Sequence, residues 1–350
     1  MKDLKYLTAY LVPVFCILGI ALKGAFLWLT PFVIFGIVPL LELVMPQLTT
    51  NLAEEEKVSK LKNRFFDVLL WLNLPIIYGV LIYGVYSFSS TLYSTAEVIG
   101  LIFSLGIVAG SNGINVAHEL GHRQDSWERF IGKALLLPSL YMHFYIEHNY
   151  GHHQKAATVE DPASARYNEN LYAFWVRSVP NQYLNAWKIQ SQLLKSKNAS
   201  FFSVKNDMFW YQIIQLSYIV GAGLVFGWAV SVLLLAVAVV GFTLLEIINY
   251  LEHYGLQRKK KKSGRYEVVR EIHSWNSNHA LGRILLYELT RHSDHHYRAS
   301  KKFQVLDYHE ISPQLPYGYP TMMVIALIPP LWFNLVNKRV PEEMVALQVD

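Results

Sequence analysis

Long apolar runs without a single charge constrain this chain more than any other feature it has. An α-helix rises 1.5 Å per residue, so about 20 apolar residues cross a hydrocarbon core. Tyr6 to Leu22 is uncharged and closed by Lys23, and Gly24 to Leu41 is equally clean before Glu42. Val68 to Ala96 and Val98 to Ala117 are two more such runs. Met208 to Leu245 is also uncharged but too long for one crossing, so it is expected to cross twice, turning near Gly227 and Trp228. The expected fold class is therefore an all-α integral membrane protein. It has six transmembrane helices, near 6–22, 24–45, 68–89, 96–117, 208–226 and 229–250, in a single domain spanning 1–350.

The Lys2 and Lys5 start resembles a signal peptide, but its apolar run is longer than a signal peptide's and a second run follows at once, so it reads as a retained anchor. With the first residue cytoplasmic, segments 1–5, 46–65, 118–207 and 251–350 lie on the same side and hold nearly all Lys and Arg, as the positive-inside rule requires. Both termini and the long regions 118–207 and 251–350 are then expected to be cytoplasmic. Two apolar pieces do not fit as spans. Ile131 to Ile146 lies between histidine motifs that belong on one side, so it is expected to be re-entrant or to cap the bundle. Met322 to Val336 is short and broken by Pro329 and Pro330, and reads as an interfacial segment. A net charge of +5 suits anionic lipid or an acidic partner rather than nucleic acid.

The chain has one cysteine, Cys16, which excludes an internal disulfide, a four-cysteine metal site and covalent haem attachment. Histidine must do the binding. Three windows stand out: His118-Glu-Leu-Gly-His122, His148-Asn-Tyr-Gly-His152-His153 and His292-Ser-Asp-His295-His296. They place 8 of 13 histidines in 16 residues, where an even spread would give about 0.6. Residues i and i+4 share a helix face, so His118 with His122, His148 with His152, and His292 with His296 are each expected to point at one metal. The adjacent pairs 152/153 and 295/296 splay their rings, which suits two metals better than one.

Two polar stripes run along otherwise apolar helices: Ser111, Asn115, His118 and His122 on the fourth span, and Glu246, Asn249 and His253 on the sixth. Polar side chains at membrane depth normally face the bundle interior and mark function, and both stripes end in histidine at one membrane face. His143 and His309 are expected to be hydrogen-bonded structural residues. His273 and His279 are expected to support or cap rather than to ligate.

A histidine-only donor set disfavours calcium and magnesium. It oversupplies a single zinc, which takes three or four protein ligands, and suits two redox-active irons with open positions. At the mouth of an apolar bundle the plentiful substrate is hydrocarbon, to be oxidised with dioxygen. No haem, flavin or iron–sulfur motif is present to supply electrons, so a separate reductase system is required.

The motifs at 118–122, 147–153, 249–256 and 291–296, with Glu160-Asp-Pro-Ala-Ser-Ala-Arg166, Ser274-Trp-Asn-Ser277 and Pro313-Gln-Leu-Pro-Tyr-Gly-Tyr319, resemble those of the membrane-bound alkane 1-monooxygenases from about residue 70 to 320. The three short histidine boxes alone match the wider family of membrane desaturases and hydroxylases, and Asn249 to Leu256 favours the alkane branch. The resemblance implies a bacterial inner-membrane enzyme with a cytoplasm-facing non-haem diiron site. It uses O2 and two electrons from rubredoxin, itself served by a rubredoxin reductase, to convert a terminal methyl to a primary alcohol. Carried over, the nine ligands are His118, His122, His148, His152, His153, His253, His292, His295 and His296. Asn115, Glu119, Glu246, Asn249, His273, His279 and Asp294 are expected to support them, and the basic run Lys259, Lys260, Lys261 and Lys262 to dock the acidic electron donor. Two other readings share these features. A fatty acyl desaturase or hydroxylase has the same boxes, and a metal-ion transporter also carries intramembrane polar stripes, although its sites tend to lie near the midplane.

Overall fold

The computed structural model describes residues 2–349. Six helices in it are long and apolar enough to cross a membrane: Asp3–Leu22, Gly24–Val44, Phe65–Ser90, Thr95–Gly121, Asp207–Phe226 and Trp228–His253. They are the first to sixth spans below. Among the described residues there is no sheet, only three isolated β-bridges. Many apolar side chains on the spans are more than half exposed, among them Leu40, Ile82, Leu216, Leu224 and Val232. Such surface suits lipid rather than water.

The chain divides into two compact units. One comprises the residues up to Ile37, with Arg64–Ile146 and Asn185–Leu245; the other comprises Val38–Asn63, Glu147–Leu184 and the residues from Glu246 onward.

The first unit is the apolar bundle. Lipid gives helices no hydrophobic reason to associate, so close backbone packing and interhelical hydrogen bonds must do so. The fourth and sixth spans meet through small residues. A Cβ on Gly106 would lie 2.5 Å from Val240 Cβ, and one on Gly110 would lie 3.3 Å from the Gly241 carbonyl oxygen. Polar side chains at this depth find partners across helices: Ser104 Oγ donates to the Leu27 carbonyl at 2.6 Å, and Asn112 Nδ2 donates to Asn73 Oδ1 at 3.0 Å. A Ser94–Glu97 capping box starts the fourth span. Between the fifth and sixth spans the chain turns at Gly227, whose φ of +93° is a conformation open to glycine but not to L side chains, at the position expected from the sequence.

The apolar stretch after the first histidine motif is not among these six helices. Ser126–Leu136 forms a helix packed so tightly on the fourth span that a Cβ on Gly132 would lie 3.2 Å from the Ala117 carbonyl oxygen. Leu140 then takes a left-handed conformation that ends the following turn. Lys133 pairs with Asp207 at 2.7 Å and so ties this capping helix to the start of the fifth span.

The second unit holds the short histidine-bearing helices, the helix Glu54–Lys62 and the last turns of the sixth span. Its C-terminal apolar stretch forms two short helices, Tyr319–Ala326 and Pro329–Val336, separated where the prolines remove backbone donors. Trp332 of the second is fully buried.

Candidate metal centre

Seven of the nine expected ligands belong to the second unit, where they form two groups. In one, His152, His253, His292 and His296 are all buried and their nearest ring nitrogens lie within 4.8 Å of one another. His152 Nε2 is 3.2 Å from His296 Nε2, and His292 Nε2 is 3.2 Å from His253 Nε2. In the other, His153 Nε2 stands 2.9 Å from His148 Nε2 and 3.1 Å from His295 Nε2. In the first unit, His118 and His122 sit one turn apart with ring centroids 5.4 Å apart, as an i, i+4 pair should.

The pairing expected for His148 and His152 is not what the fold produces. His148–His152 is a π-helical turn, closed by i→i+5 bonds, so residue i+5 rather than i+4 comes beneath residue i. His148 therefore meets His153, and His152 is released to join the other group. His292 and His296, on an ordinary α-helical turn, do share a group.

The donor set fits a transition metal in each group. Each neutral imidazole carries one proton and one lone pair, so several ring nitrogens facing one another in a space closed to solvent are costly unless a cation lies among them. Burial, and then the neighbouring imidazoles, hold His296 well below the ordinary histidine value, in the neutral form that ligates.

Hydrogen bonds behind the rings set which nitrogen faces inward. His152 Nδ1 lies 2.9 Å from Asp161 Oδ2, and Asp161 also accepts from Ser164 Oγ at 2.6 Å and from the Ala163 amide at 3.2 Å. Burial opposes both charges, yet each holds the other: Asp161 stays below the usual carboxylate range and His152 above the usual imidazole value. The carboxylate fixes the His152 tautomer, leaving Nε2 for a metal. Sequence reasoning missed this residue, whose only signal was its place in the Glu160-to-Arg166 motif. It also missed Glu252, whose Oε2 lies 3.1 Å from His292 Nε2 while Oε1 accepts from the Tyr319 hydroxyl at 2.9 Å.

The other expected supporting residues divide by role. Glu246, fully buried on the sixth span, accepts from Ser178 Oγ at 2.8 Å, Gln182 Nε2 at 2.8 Å and Asn249 Nδ2 at 3.2 Å. Asp294 accepts from Lys301 at 2.6 Å and from the Asp307 amide at 2.7 Å, with His309 Nε2 2.8 Å from its other oxygen; His309 is thus the hydrogen-bonded structural residue expected. His273 and His279 join neither histidine group. His273 Nδ1 accepts from the Arg270 amide at 2.9 Å, and burial pushes its pKa down to about 4. His279 Nδ1 is 3.0 Å from Ser277 Oγ. Glu119 pairs with Arg123 at 3.0 Å, and Asn115 is buried. Lys259, Lys260, Lys261 and Lys262 are all exposed. They lie on a turn whose base, Arg258, donates to the Gln154 carbonyl at 2.7 Å, one residue after His153.

Fold and site together define a helical membrane protein with six apolar helices of spanning length and histidine groups that could hold metal. Residues 94–326 match the model of the fatty acid desaturase family. The chain is 38% identical over 325 residues to alkane 1-monooxygenase 2 of Pseudomonas aeruginosa, covering 92% of this chain and 86% of that protein. It is 37% identical over 348 residues to alkane 1-monooxygenase 2 of Alcanivorax borkumensis, with 97% and 91% covered. A more distant relative is the xylene/toluene monooxygenase hydroxylase component of Pseudomonas putida, 27% identical over 350 residues, with 97% and 89% covered. The chain belongs to the alkane 1-monooxygenase branch of the fatty acid desaturase family, and so to the oxidoreductases.

Proposed function

We propose that this protein hydroxylates the terminal methyl of n-alkanes, or of related hydrophobic methyl compounds, to primary alcohols. In this reading it sits in the bacterial inner membrane with its site on the cytoplasmic side. Two non-haem irons are held by the nine histidines that the resemblance carries over, one of them by His152, His253, His292 and His296. The observation that carries the reading is the sorting of seven imidazoles, six of them buried, into two groups at ligating distance, in a chain whose relatives are named for alkane monooxygenation.

Irons so held would supply the activation of dioxygen: with two electrons from the donor protein and two protons, one oxygen atom would go to carbon and the other would leave as water. The remaining work falls to the protein. Asp161 keeps the His152 ring oriented. Ser178, Gln182 and Asn249 donate to the Glu246 carboxylate and so hold the polar stripe of the sixth span. Because internal C–H bonds are weaker than terminal ones, selectivity must come from position: a chain presented end-on between apolar spans offers only its methyl. Asn115 and Asn249, each within one turn of a proposed ligand, mark where that approach ends.

Cys16 is alone and buried, so it cannot hold an electron-transfer iron, and rubredoxin with its reductase is the proposed donor. The lysine turn is its dock. In support, Arg258 at the base of that turn donates to the carbonyl of Gln154, the residue after the proposed ligand His153, and its lysines are complementary to an acidic donor.

Product analysis of purified protein with rubredoxin and its reductase, supplied in parallel with octane, hexadecane, xylene and a fatty acyl substrate, tests the reading. Terminal alcohols support it. A double bond in an acyl chain would instead establish the desaturase reading, and metal flux into proteoliposomes without any oxidation would establish transport.

A further inference from the structure

We propose that the segment 195–206, from the last turn of the helix Leu171–Ser196 to the start of the fifth span, is an anchor for anionic phospholipid. Its lysines take the phosphate headgroups, while Phe201, Phe202 and Val204 enter the apolar layer beneath them.

The charge is one-sided. Residues 185–206 carry four lysines, Lys188, Lys195, Lys197 and Lys205, and no Asp or Glu. All four are exposed, and no acidic side chain among the described residues pairs with them. The first acid that follows, Asp207, is already taken by Lys133 at 2.7 Å.

Between these cations the loop presents an apolar tip. Phe201 is 50% exposed, Phe202 77% and Val204 80%. The tip is built rather than loose. Asn198, at a φ of +48°, turns the chain out of the helix. Asn206 Nδ2 donates to the Phe201 carbonyl at 2.8 Å, Gln190 Nε2 donates to the Lys205 carbonyl at 3.0 Å, and Asn206 Oδ1 accepts from the Phe209 amide at 3.1 Å. Trp187 stacks on Phe201 with ring centroids 5.8 Å apart, and Phe209 lies edge-on to Phe201 and Phe202 at 5.9 and 5.6 Å. Protein covers one side of these rings, and hydrogen bonds hold the other side outward, which marks a surface for an apolar neighbour.

Position decides which neighbour. Asp207 opens the fifth span, and Trp210, still in its first turn, is exposed, as aromatic residues at a membrane boundary are. A loop that ends where a span begins lies at headgroup depth, with phosphate beside its lysines and acyl chains beside its phenylalanines. An acidic soluble protein would meet the lysines but leave the apolar tip bare, and a second copy would set the same cations against these. Each lysine at an anionic surface contributes about fivefold to association. Lys195, Lys197 and Lys205 together therefore give a preference for anionic over zwitterionic lipid of ~100-fold at low salt, falling as screening grows.

Two measurements on the full chain test this. Cys16, the one cysteine, is buried, so a nitroxide reagent reaches only the thiol introduced by Phe202→Cys. In vesicles of phosphatidylglycerol and phosphatidylcholine the label should collide more with dissolved oxygen, which concentrates in the bilayer, than with a water-soluble nickel chelate. The reverse ranking overturns the proposal, and so does a label that is shielded only when an acidic redox protein or further copies of the chain are added. Val204→Cys serves in the same way should Phe202→Cys not fold. The second measurement is native mass spectrometry of the lipid retained from mixed micelles of the same two lipids. Wild type should keep phosphatidylglycerol in preference, and the triple variant Lys195→Gln, Lys197→Gln, Lys205→Gln should lower that preference tenfold or more. Retention unchanged in the triple variant overturns the anionic-lipid assignment. Should that variant not fold, Lys195→Gln and Lys205→Gln singly should each lower the preference several-fold, and no change in either overturns it.

Discussion

Replacing Asp161 separates a carboxylate that tunes a metal site from one that merely fills space. Asp161 is buried and accepts three hydrogen bonds, from His152 Nδ1–H at 2.9 Å, Ser164 Oγ at 2.6 Å and the Ala163 amide at 3.2 Å. Asn in its place keeps the size and an oxygen acceptor but loses the charge. Charge-assisted hydrogen bonds contribute about 1.5–3 kcal/mol and neutral ones about 0.5–1.5, so the bond to His152 weakens by roughly 1–1.5 kcal/mol, or about tenfold in affinity. Asp161→Ala removes the bond and leaves His152 free to turn, which brings the loss toward the ~100-fold end of what such partners contribute to metal affinity. The assay is competition for ferrous iron against a coloured chelator, on purified protein. Thermal melting of the chelated protein separates lost affinity from lost fold. Ser164→Ala, which leaves the carboxylate on His152, should weaken binding less than either Asp161 variant. Iron affinity within twofold of wild type in Asp161→Ala would refute the argument that this carboxylate orients a ligand.

Three further outcomes follow from the same structure. Gly106→Leu forces a side chain into Val240, where even a Cβ would approach to 2.5 Å, and should destabilise the bundle by about 1–3 kcal/mol as overpacking does, read as a lower melting temperature in detergent. His143, whose pKa burial pushes down to about 3, stays neutral in the fold while an unfolded histidine protonates near pH ~6.5. Its contribution is complete above that pH and is lost as pH falls toward 3, so His143→Ala should show a shallower loss of stability across that window while retaining its metal by elemental analysis. Reversing Lys259 to Lys262 to glutamate should raise the apparent KM for rubredoxin and reverse its dependence on salt; in the wild type that KM should climb between low and physiological ionic strength, because screening weakens steering, and turnover indifferent to salt would remove the charge-docking argument.

The spans were legible because a bilayer imposes one rule, a length of uncharged apolar residues, that needs no knowledge of tertiary contacts. The turn at Gly227 followed from the same rule, whereas Ile131 to Ile146 was set apart from the spans because the histidine motifs on either side of it belong on one side. The histidines were legible by density, and the i, i+4 pairs 118/122 and 292/296 by helical period. His148 and His152 were misjudged because a π turn changes the period without a residue pattern that announces it. The polar stripe on the sixth span led to Glu246, Asn249 and His253 but not to Glu252. One residue before His253, Glu252 lies about 100° round the helix, so its relation to His292, 40 positions on, exists only in the fold. Asp161 was obscured for a related reason: it reaches His152 across an irregular segment with no period to read.

The central claim is that this protein inserts one atom of dioxygen into the terminal C–H bond of an alkane. Purified protein with rubredoxin, its reductase and octane, incubated under heavy dioxygen in ordinary water, tests it most directly. The account predicts 1-octanol carrying one heavy oxygen atom. Alcohol labelled from water, a mixture dominated by 2- and 3-octanol, or no oxidised alkane at all would contradict it.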